Sequence, residues 1–98
     1  MRIEEIIWLP QFVQKIVVKH RVWPEEVEEV LLSRPVHRKA QRGLVQGEDV
    51  YTAYGQTETG RYLFIVFIYK PPKQALVVSA RDMTEKERRY YHGRKKGT

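Results

Sequence analysis

Arginine, histidine and carboxylate side chains of this sequence are suited to chemistry on a phosphodiester. An arginine fork matches phosphate oxygens, and a histidine or carboxylate can transfer a proton. Residues 34–98 contain fourteen basic and six acidic residues, whereas residues 1–33 contain four basic and six acidic ones. Such a basic half attracts polyanions through counterion release, although the same charge could serve only solubility.

Arg81 is the strongest single candidate for a phosphate ligand. It ends an apolar strand pattern immediately before a predicted helix, so its side chain can project from a rigid frame. Strict alternation along the strand places it on the same face as Ser79 and Val77. The alternative is a structural arginine that pairs with Asp82 or Glu85 at the start of the helix.

Other candidates have structural explanations of equal simplicity. His20 ends the apolar face of the first predicted helix, where it could transfer a proton or pack as a helix C-terminal residue. A stretch without acidic residues could dock phosphates or be a solvated charge run; it contains Arg38, Lys39 and Arg42.

Tyrosines accompany the basic residues and could stack on RNA bases or pack in the core. Tyr51 and Tyr54 differ in parity, so they must face opposite sides of one strand. Tyr90 and Tyr91 follow two arginines in the final helix. Glu87 has a competing structural role at the start of that helix.

Hydrophobic periodicity predicts two helices near the start of the chain and one at the end. Apolar residues recur at helical spacing over residues 12–20, and a proline followed by two glutamates suits the first turn of a helix over 24–33. Thr84 and Glu87 fit a capping box that begins a third helix, which should run to about His92.

Between these helices the period changes from helical to alternating, which predicts a mainly antiparallel sheet of four or five strands. The predicted strands span residues 3–8, 36–39, 49–56, 61–69 and 74–80. The fourth is apolar on both faces, which predicts a central strand covered on both sides. Residues 57–60 predict a tight hairpin connection. The expected fold class is therefore α+β.

Length and composition limit the functional classes. The 98 residues suffice for one domain, placed at 1–92, with a basic, frayed tail at 93–98. The sequence has no cysteine and its three histidines lie far apart, so we expect no metal site and no cofactor. Without a signal peptide or a long apolar run, we expect a cytoplasmic protein.

The order of these motifs resembles the BrnT family of ribonuclease toxins. The shared pattern consists of Lys19-His20, the Pro24 helix, Gly60-Arg61 opening an apolar strand, and Ser79-Ala80-Arg81 followed by Glu87-Arg88. It covers roughly residues 6–92. The resemblance implies a RelE-like fold, ribonuclease activity on RNA, and neutralisation by a BrnA-like antitoxin, a ribbon-helix-helix protein that also binds operator DNA.

The resemblance also implies a set of site residues. The catalytic residues would be Arg81, Arg61, His20 and Glu48. The two arginines would stabilise charge that develops on phosphorus, and the histidine, or failing it the glutamate, would transfer the proton. Independently of the resemblance, the residue types predict RNA binding by Lys39, Arg38, Arg88, Tyr51 and Tyr91.

Three positions and one short segment depart from the family pattern. The segment is Leu9-Pro10-Gln11, which replaces the acidic pattern that the family has after the tryptophan. Arg21 stands where the family usually has glycine, and Val50 and Gln56 stand where it commonly has arginine. An arginine at position 50 could have bound a phosphate. Its loss suggests weaker, differently targeted or absent activity.

We therefore predict a metal-independent endoribonuclease that acts through attack of the RNA 2′-hydroxyl and leaves a 2′,3′-cyclic phosphate. This requires Arg61 and Arg81 to converge on one pocket. The first alternative is a catalytically degenerate homologue that only binds RNA or an antitoxin, and a dimer could form through the antitoxin complex. The second is a basic interaction domain without kinship to toxins.

Overall fold

The computed structural model describes residues 1–43 and 46–96, with the side chain of Lys96 excepted. The elements are β1 (Glu5–Ile7), α1 (Pro10–His20), α2 (Pro24–Leu32), β2 (Val36–Gln41), β3 (Val50–Gln56), β4 (Tyr62–Lys70), β5 (Gln74–Asp82) and α3 (Glu85–Lys96). Every predicted helix and strand is present, and the predicted α+β class is confirmed. Within the described residues, no helix is long and apolar enough to cross a lipid bilayer.

The five strands form one sheet in the order β1-β5-β4-β3-β2. Strands β2 to β5 are joined by successive antiparallel pairings, as the short turns predicted. β1 pairs with β5 in parallel at one edge, and the chain between β1 and β2 passes through both N-terminal helices to the opposite edge. The predicted mainly antiparallel sheet is thus confirmed, with one parallel edge.

Helices α1 and α2 cover one face of the sheet and form the main core with it. Leu63, Ile65 and Phe67 of β4 point into this core and are fully buried. Burial of each such side chain stabilises the fold by about 1.5–3 kcal/mol. Gly55 permits the close approach of α2, because a Cβ at this position would lie 2.6 Å from Cγ1 of Val30.

Helix α3 covers only one end of the opposite face. A smaller buried cluster joins Tyr91 of this helix to Tyr54 and Met83. Farther along β4, Val66 and Ile68 point to this side and remain only half-buried. The prediction that β4 is covered on both sides is therefore correct only for the start of the strand.

A β-bulge in β5 changes which side chains share a face. Val66 pairs with Ser79 but Phe67 pairs with Val77, so Val78 is an extra residue in β5. Val77 is consequently buried in the main core, whereas Ser79 and Arg81 point to the α3 side. The prediction that Arg81 and Val77 share a face was wrong, because strict alternation does not hold across a bulge.

The predicted capping box at the start of α3 is present. The backbone N–H of Thr84 donates to Oε1 of Glu87 at 2.8 Å, and the backbone N–H of Glu87 donates to Oγ1 of Thr84 at 3.2 Å. The helix then continues to Lys96. The predicted end at His92 was four residues short, and residues 93–96 are helical rather than a frayed tail. Residues 97–98 lie outside the described residues.

Candidate functional site

Arg61 lies in the turn before β4, on the side of the sheet that α1 and α2 cover. Its Nε and Nη2 donate to the two carboxylate oxygens of Asp82, at 2.7 and 3.3 Å. Nη1 donates to Oε1 of Glu26 at 3.0 Å and to the carbonyl of Arg21 at 2.7 Å, and Nη2 donates to the carbonyl of His20 at 3.2 Å. Since arginine has five N–H groups, all of them are engaged.

These contacts give Arg61 a structural function. The carbonyls of His20 and Arg21 end α1, where no intrahelical donor is present, and a cation suits this negative end of the helix dipole. The hydrogen bonds to Asp82 raise the pKa of Arg61, so its charge is permanent. A phosphate could reach this guanidinium only by displacing an existing acceptor.

Arg81 points to the opposite side of the sheet. It stands across from Phe64 in the β4–β5 pairing, and its guanidinium carbon lies 4.3 Å from the centre of the Phe64 ring. Arg61 and Arg81 therefore do not converge. The predicted pocket that contains both was wrong, because they occupy opposite faces of one sheet.

Glu87 fixes the orientation of Arg81. Nη1 and Nη2 of Arg81 donate to the two oxygens of this carboxylate at 2.8 and 2.9 Å, and Nη1 also donates to the carbonyl of Asp82 at 3.0 Å. Among the residues that the structure describes, the Nε–H and the second Nη2–H have no acceptor. The structural alternative, an acid at the helix start that pairs with Arg81, is thus realised by Glu87 rather than by the side chains of Asp82 or Glu85.

The pair keeps both groups charged. The hydrogen bonds from Arg81 lower the pKa of Glu87, and the same contacts raise the pKa of Arg81. Glu87 also serves the capping box, so one carboxylate connects the start of α3 to the end of β5. Arg81 therefore presents two available donors in a fixed direction.

Three aromatic rings connect Arg81 to a second guanidinium on the same side. Tyr54 packs against Phe64 with ring centres 5.2 Å apart and against Tyr90 with ring centres 4.9 Å apart. The guanidinium of Arg38 lies 5.1 Å from the centre of the Tyr90 ring. We call Phe64, Tyr54 and Tyr90 the aromatic row. A guanidinium lies at each end of the row, that of Arg81 beside Phe64 and that of Arg38 beside Tyr90.

A cleft of about 300 Å³ lies beside this row. Its lining residues are Arg38, Lys39, Ala40, Thr52 and Tyr54. The hydroxyl of Thr52 donates to the carbonyl of Arg38 at 3.3 Å. Nζ of Lys39 pairs with Oδ2 of Asp49 at 2.8 Å, which lowers the pKa of the aspartate. The structure therefore brings the predicted residues Arg38 and Lys39 to the cleft.

Two predicted catalytic residues lie away from Arg81. Glu48 pairs with Lys70 at the far end of β4, with Oε1 2.5 Å from Nζ. Lys70 lies six positions along β4 from Phe64, the partner of Arg81, which corresponds to roughly 20 Å. His20 ends α1, on the Arg61 side of the sheet. The predicted grouping of Arg81 with these two residues is not formed.

The remaining predicted RNA-binding residues are spread over the molecule. Tyr91 is only 7% exposed, which leaves no free ring face for a base. Tyr51 stacks on Phe67 on the helix-covered side, opposite to Tyr54 as its parity predicted. Arg88 is exposed and lies 4.1 Å from the centre of the Tyr62 ring.

The sequence-based reasoning missed two features of the site. It identified Glu87 only as a capping residue, although Thr84-x-x-Glu87 directly after Arg81 places that carboxylate within reach of the arginine. It also missed the aromatic row, because the contact between Tyr54 and Phe64 depends on the register of the β3–β4 hairpin.

A comparison with protein families decides the relationship of the chain. Residues 8–87 match the family described as the ribonuclease toxin BrnT of type II toxin-antitoxin systems. The chain belongs to the BrnT family. As a member it is a BrnT-type ribonuclease toxin, and membership of a type II system implies an antitoxin partner. A search of curated proteins found no match.

A solved structure supports the same relationship at the level of the fold. The chain is similar to the crystal structure of the Brucella abortus ribonuclease toxin BrnT, with a TM-score of 0.58. The match covers 83% of this chain and 97% of the other, at 17% sequence identity. The BrnT fold is therefore shared, although most side chains differ.

Proposed function

We propose that this BrnT-family chain is an endoribonuclease that cuts RNA on the α3 side of its sheet without a metal or cofactor. The observation that carries the proposal is the state of Arg81. Its guanidinium is oriented by Glu87, retains two available N–H donors, and lies on the same side as the open part of the sheet. A donor held in this way can meet charge as it develops on a phosphate.

The proposed reaction uses the RNA's own nucleophile. The 2′-oxygen forms a bond to the adjacent phosphorus, the bond from phosphorus to the 5′-oxygen breaks, and a 2′,3′-cyclic phosphate remains. Arg81 stabilises the additional negative charge on the phosphoryl oxygens. Glu87, ionised beside Arg81, accepts the proton of the 2′-hydroxyl, and water protonates the departing 5′-oxygen.

The cleft beside the aromatic row holds the neighbouring part of the strand. Arg38 and Lys39 supply positive charge for the RNA backbone there. Tyr90 is half-buried, so the exposed part of its side chain is available for contact with a base. In this proposal Arg61 stabilises the scaffold and does not contact the scissile phosphate.

The test is cleavage of a short RNA by the purified protein in the presence of EDTA. We expect products with 2′,3′-cyclic phosphate ends. Arg81→Ala should lower kcat/KM at least tenfold, which corresponds to about 1.4 kcal/mol of transition-state stabilisation. The matched control is Arg89→Ala, since Arg89 is exposed on the neighbouring helix α3 and pairs with Glu85.

Two results would contradict the proposal. Unchanged cleavage by Arg81→Ala would remove this residue from the mechanism. Complete loss of wild-type cleavage in EDTA, restored by a divalent cation, would show that the reaction needs a metal.

A second candidate is a catalytically inactive homologue that binds only RNA or its antitoxin. Two observations favour it. Val50, on the same face as the cleft, stands where the resemblance to the family implies an arginine. Glu87 already accepts three hydrogen bonds, two from Arg81 and one from the backbone of Thr84. Expression in bacteria without an antitoxin separates the candidates. A nuclease should arrest growth, and the Arg81→Ala variant should relieve the arrest, whereas an inactive binder should be tolerated in both forms.

A further inference from the structure

A second cavity, of about 450 Å³, lies where the connection between α2 and β2 meets the C-terminal half of α3. We call it the Arg34 pocket. Arg34 and Pro35 line it from the connection, and Arg94 and Lys95 line it from the helix. Its size suits a ligand of nucleotide dimensions.

The charge in this pocket has one sign. Three of its side chains are cationic, namely Arg34, Arg94 and Lys95, and no aspartate or glutamate is among the described residues that line it. Within residues 1–43 and 46–95, neither Arg34 nor Arg94 forms an ion pair with a carboxylate. Like charges gathered in a concavity repel each other, and an anion bound between them relieves this repulsion.

His37 also lines the pocket but adds no charge to it at neutral pH. Its ring packs edge-on against Phe67 with ring centres 5.8 Å apart, and burial lowers its pKa to about 4. The positive charge of the pocket therefore comes from two arginines and a lysine.

The backbone of Arg34 is strained. Its φ is +61°, in the left-handed region that glycine or asparagine usually occupies, and the following residue is Pro35. Glycine at this position would remove the side chain and relieve the strain together. This position therefore allows binding and stability to be separated by one substitution.

We propose that the Arg34 pocket binds a second phosphate of the same RNA strand, at a distance from the scissile one. The inference rests on the proposed function. Arg81 lies on β5 and the pocket lies beside β2, so three inter-strand spacings, about 14 Å, separate the two sites. An RNA that reaches both sites gains affinity from the pocket, and a shorter one does not.

The experiment measures binding of a fluorescent RNA of about twelve nucleotides, within the usual site size of single-strand binders. The RNA carries 2′-O-methyl groups, so it cannot be cut. The variant combines Arg34→Gly with Arg94→Gln. The control combines Lys15→Gln with Lys86→Gln, which removes the same charge from exposed positions outside the pocket.

We expect the pocket variant to bind the RNA about tenfold more weakly than the wild type. The slope of its log Kd against log salt concentration should be smaller than that of the wild type by about 0.7. The control should change Kd less than threefold. A dinucleotide, too short to span the two sites, should bind both variants alike. Equal losses in the two variants with the long RNA would overturn the proposal.

Two further measurements separate possible failures. Arg34→Gly alone should weaken binding of the long RNA, while the Tm of the protein stays equal or rises. Loss of folding cannot produce this combination. A lower Tm of the protein with unchanged RNA binding would overturn the proposal. Cleavage of unmodified RNA by the wild type is assayed separately. If the wild type does not cut RNA, the nuclease proposal fails. If the pocket variant nevertheless loses RNA binding and the control variant does not, the proposal that the pocket binds RNA still stands.

Discussion

Arg61 and Arg81 are the same residue type near the same end of one sheet, yet their surroundings differ. Arg61 contacts two carboxylates and two helix-terminal carbonyls, which engage all five of its N–H groups. Arg81 contacts one carboxylate and one carbonyl, which leaves two N–H groups without an acceptor in the described part of the chain. The number of acceptors, rather than exposure or charge, distinguishes a structural arginine from one that can bind a phosphate.

The comparison also has a topological basis. Arg61 lies on the side that α1 and α2 cover, where helix ends supply acceptors. Arg81 lies on the side that only α3 covers, and there a single glutamate reaches it. The following four predictions test this difference, in order of decreasing effect.

Removal of Arg61 should have the largest effect on stability. In Arg61→Ala, the carboxylates of Asp82 and Glu26 and the end of α1 lose their donor, which should cost about 2 kcal/mol of unfolding free energy. Urea denaturation measures this. Arg89→Ala is the control and should cost less than about 0.5 kcal/mol, because the pair of Arg89 with Glu85 is exposed and lies within one helix. Equal costs would contradict the structural role of Arg61.

Replacement of Arg81 by lysine should affect activity more than stability. A lysine retains the charge but cannot hold Glu87 with two parallel hydrogen bonds while it donates to a phosphate. We expect kcat/KM to fall about tenfold, or about 1.4 kcal/mol. The unfolding free energy should fall by less than about 1 kcal/mol. A larger loss of unfolding free energy than of transition-state stabilisation would show that Arg81, like Arg61, is a structural residue.

Arg21→Gly should stabilise the Arg61 side of the molecule. Arg21 has a φ of 55° at the end of α1, and its carbonyl accepts a hydrogen bond from Arg61. Glycine should relieve about 1 kcal/mol of left-handed strain and keep the carbonyl in place. Thermal unfolding measures the gain. Arg21→Ala keeps the strain and should leave Tm nearly unchanged, so an equal rise in both variants would exclude this explanation.

The Arg81–Glu87 pair should contribute a small pH dependence. Arg81 holds the pKa of Glu87 below its ordinary value of 4.5, so the contribution is complete above pH 4.5 and is lost as pH falls through the lower pKa of the folded state. Since the pair is partly solvated, the loss should be a few tenths of a kcal/mol. Denaturation of the wild type and of Glu87→Gln is measured between pH 6 and 3. The unfolding free energies of the two proteins should converge at low pH. A constant difference would show that the charge of Glu87 does not contribute to stability.

The helices and most strands could be predicted because local signals specify them. Pro24 with two following glutamates begins α2, and the capping box of Thr84 and Glu87 begins α3. The end of α3 was placed too early, because neither Gly93 nor the basic residues after it stop the helix.

The candidate site could be predicted only in part, because it depends on pairing between distant segments. Sequence reasoning selected Arg81 and Arg38, which lie on one side of the sheet, but it also selected Arg61 for the same pocket. Nothing in the residue types indicates that Asp82 and Glu26 both reach Arg61, since these contacts span 21 and 35 positions of the chain.

The bulge at Val78 decides which residues of β5 face each side of the sheet. If residues 77–81 alternated strictly, Ser79 and Arg81 would lie in the main core with Val77, and Val78 and Ala80 would face the α3 side. Deletion of Val78 should therefore leave Arg81 on its present side, because a regular strand of the remaining residues places Val77 inside and Arg81 outside. A relative whose strand is one residue shorter at this point should present its arginine on the same side as this chain.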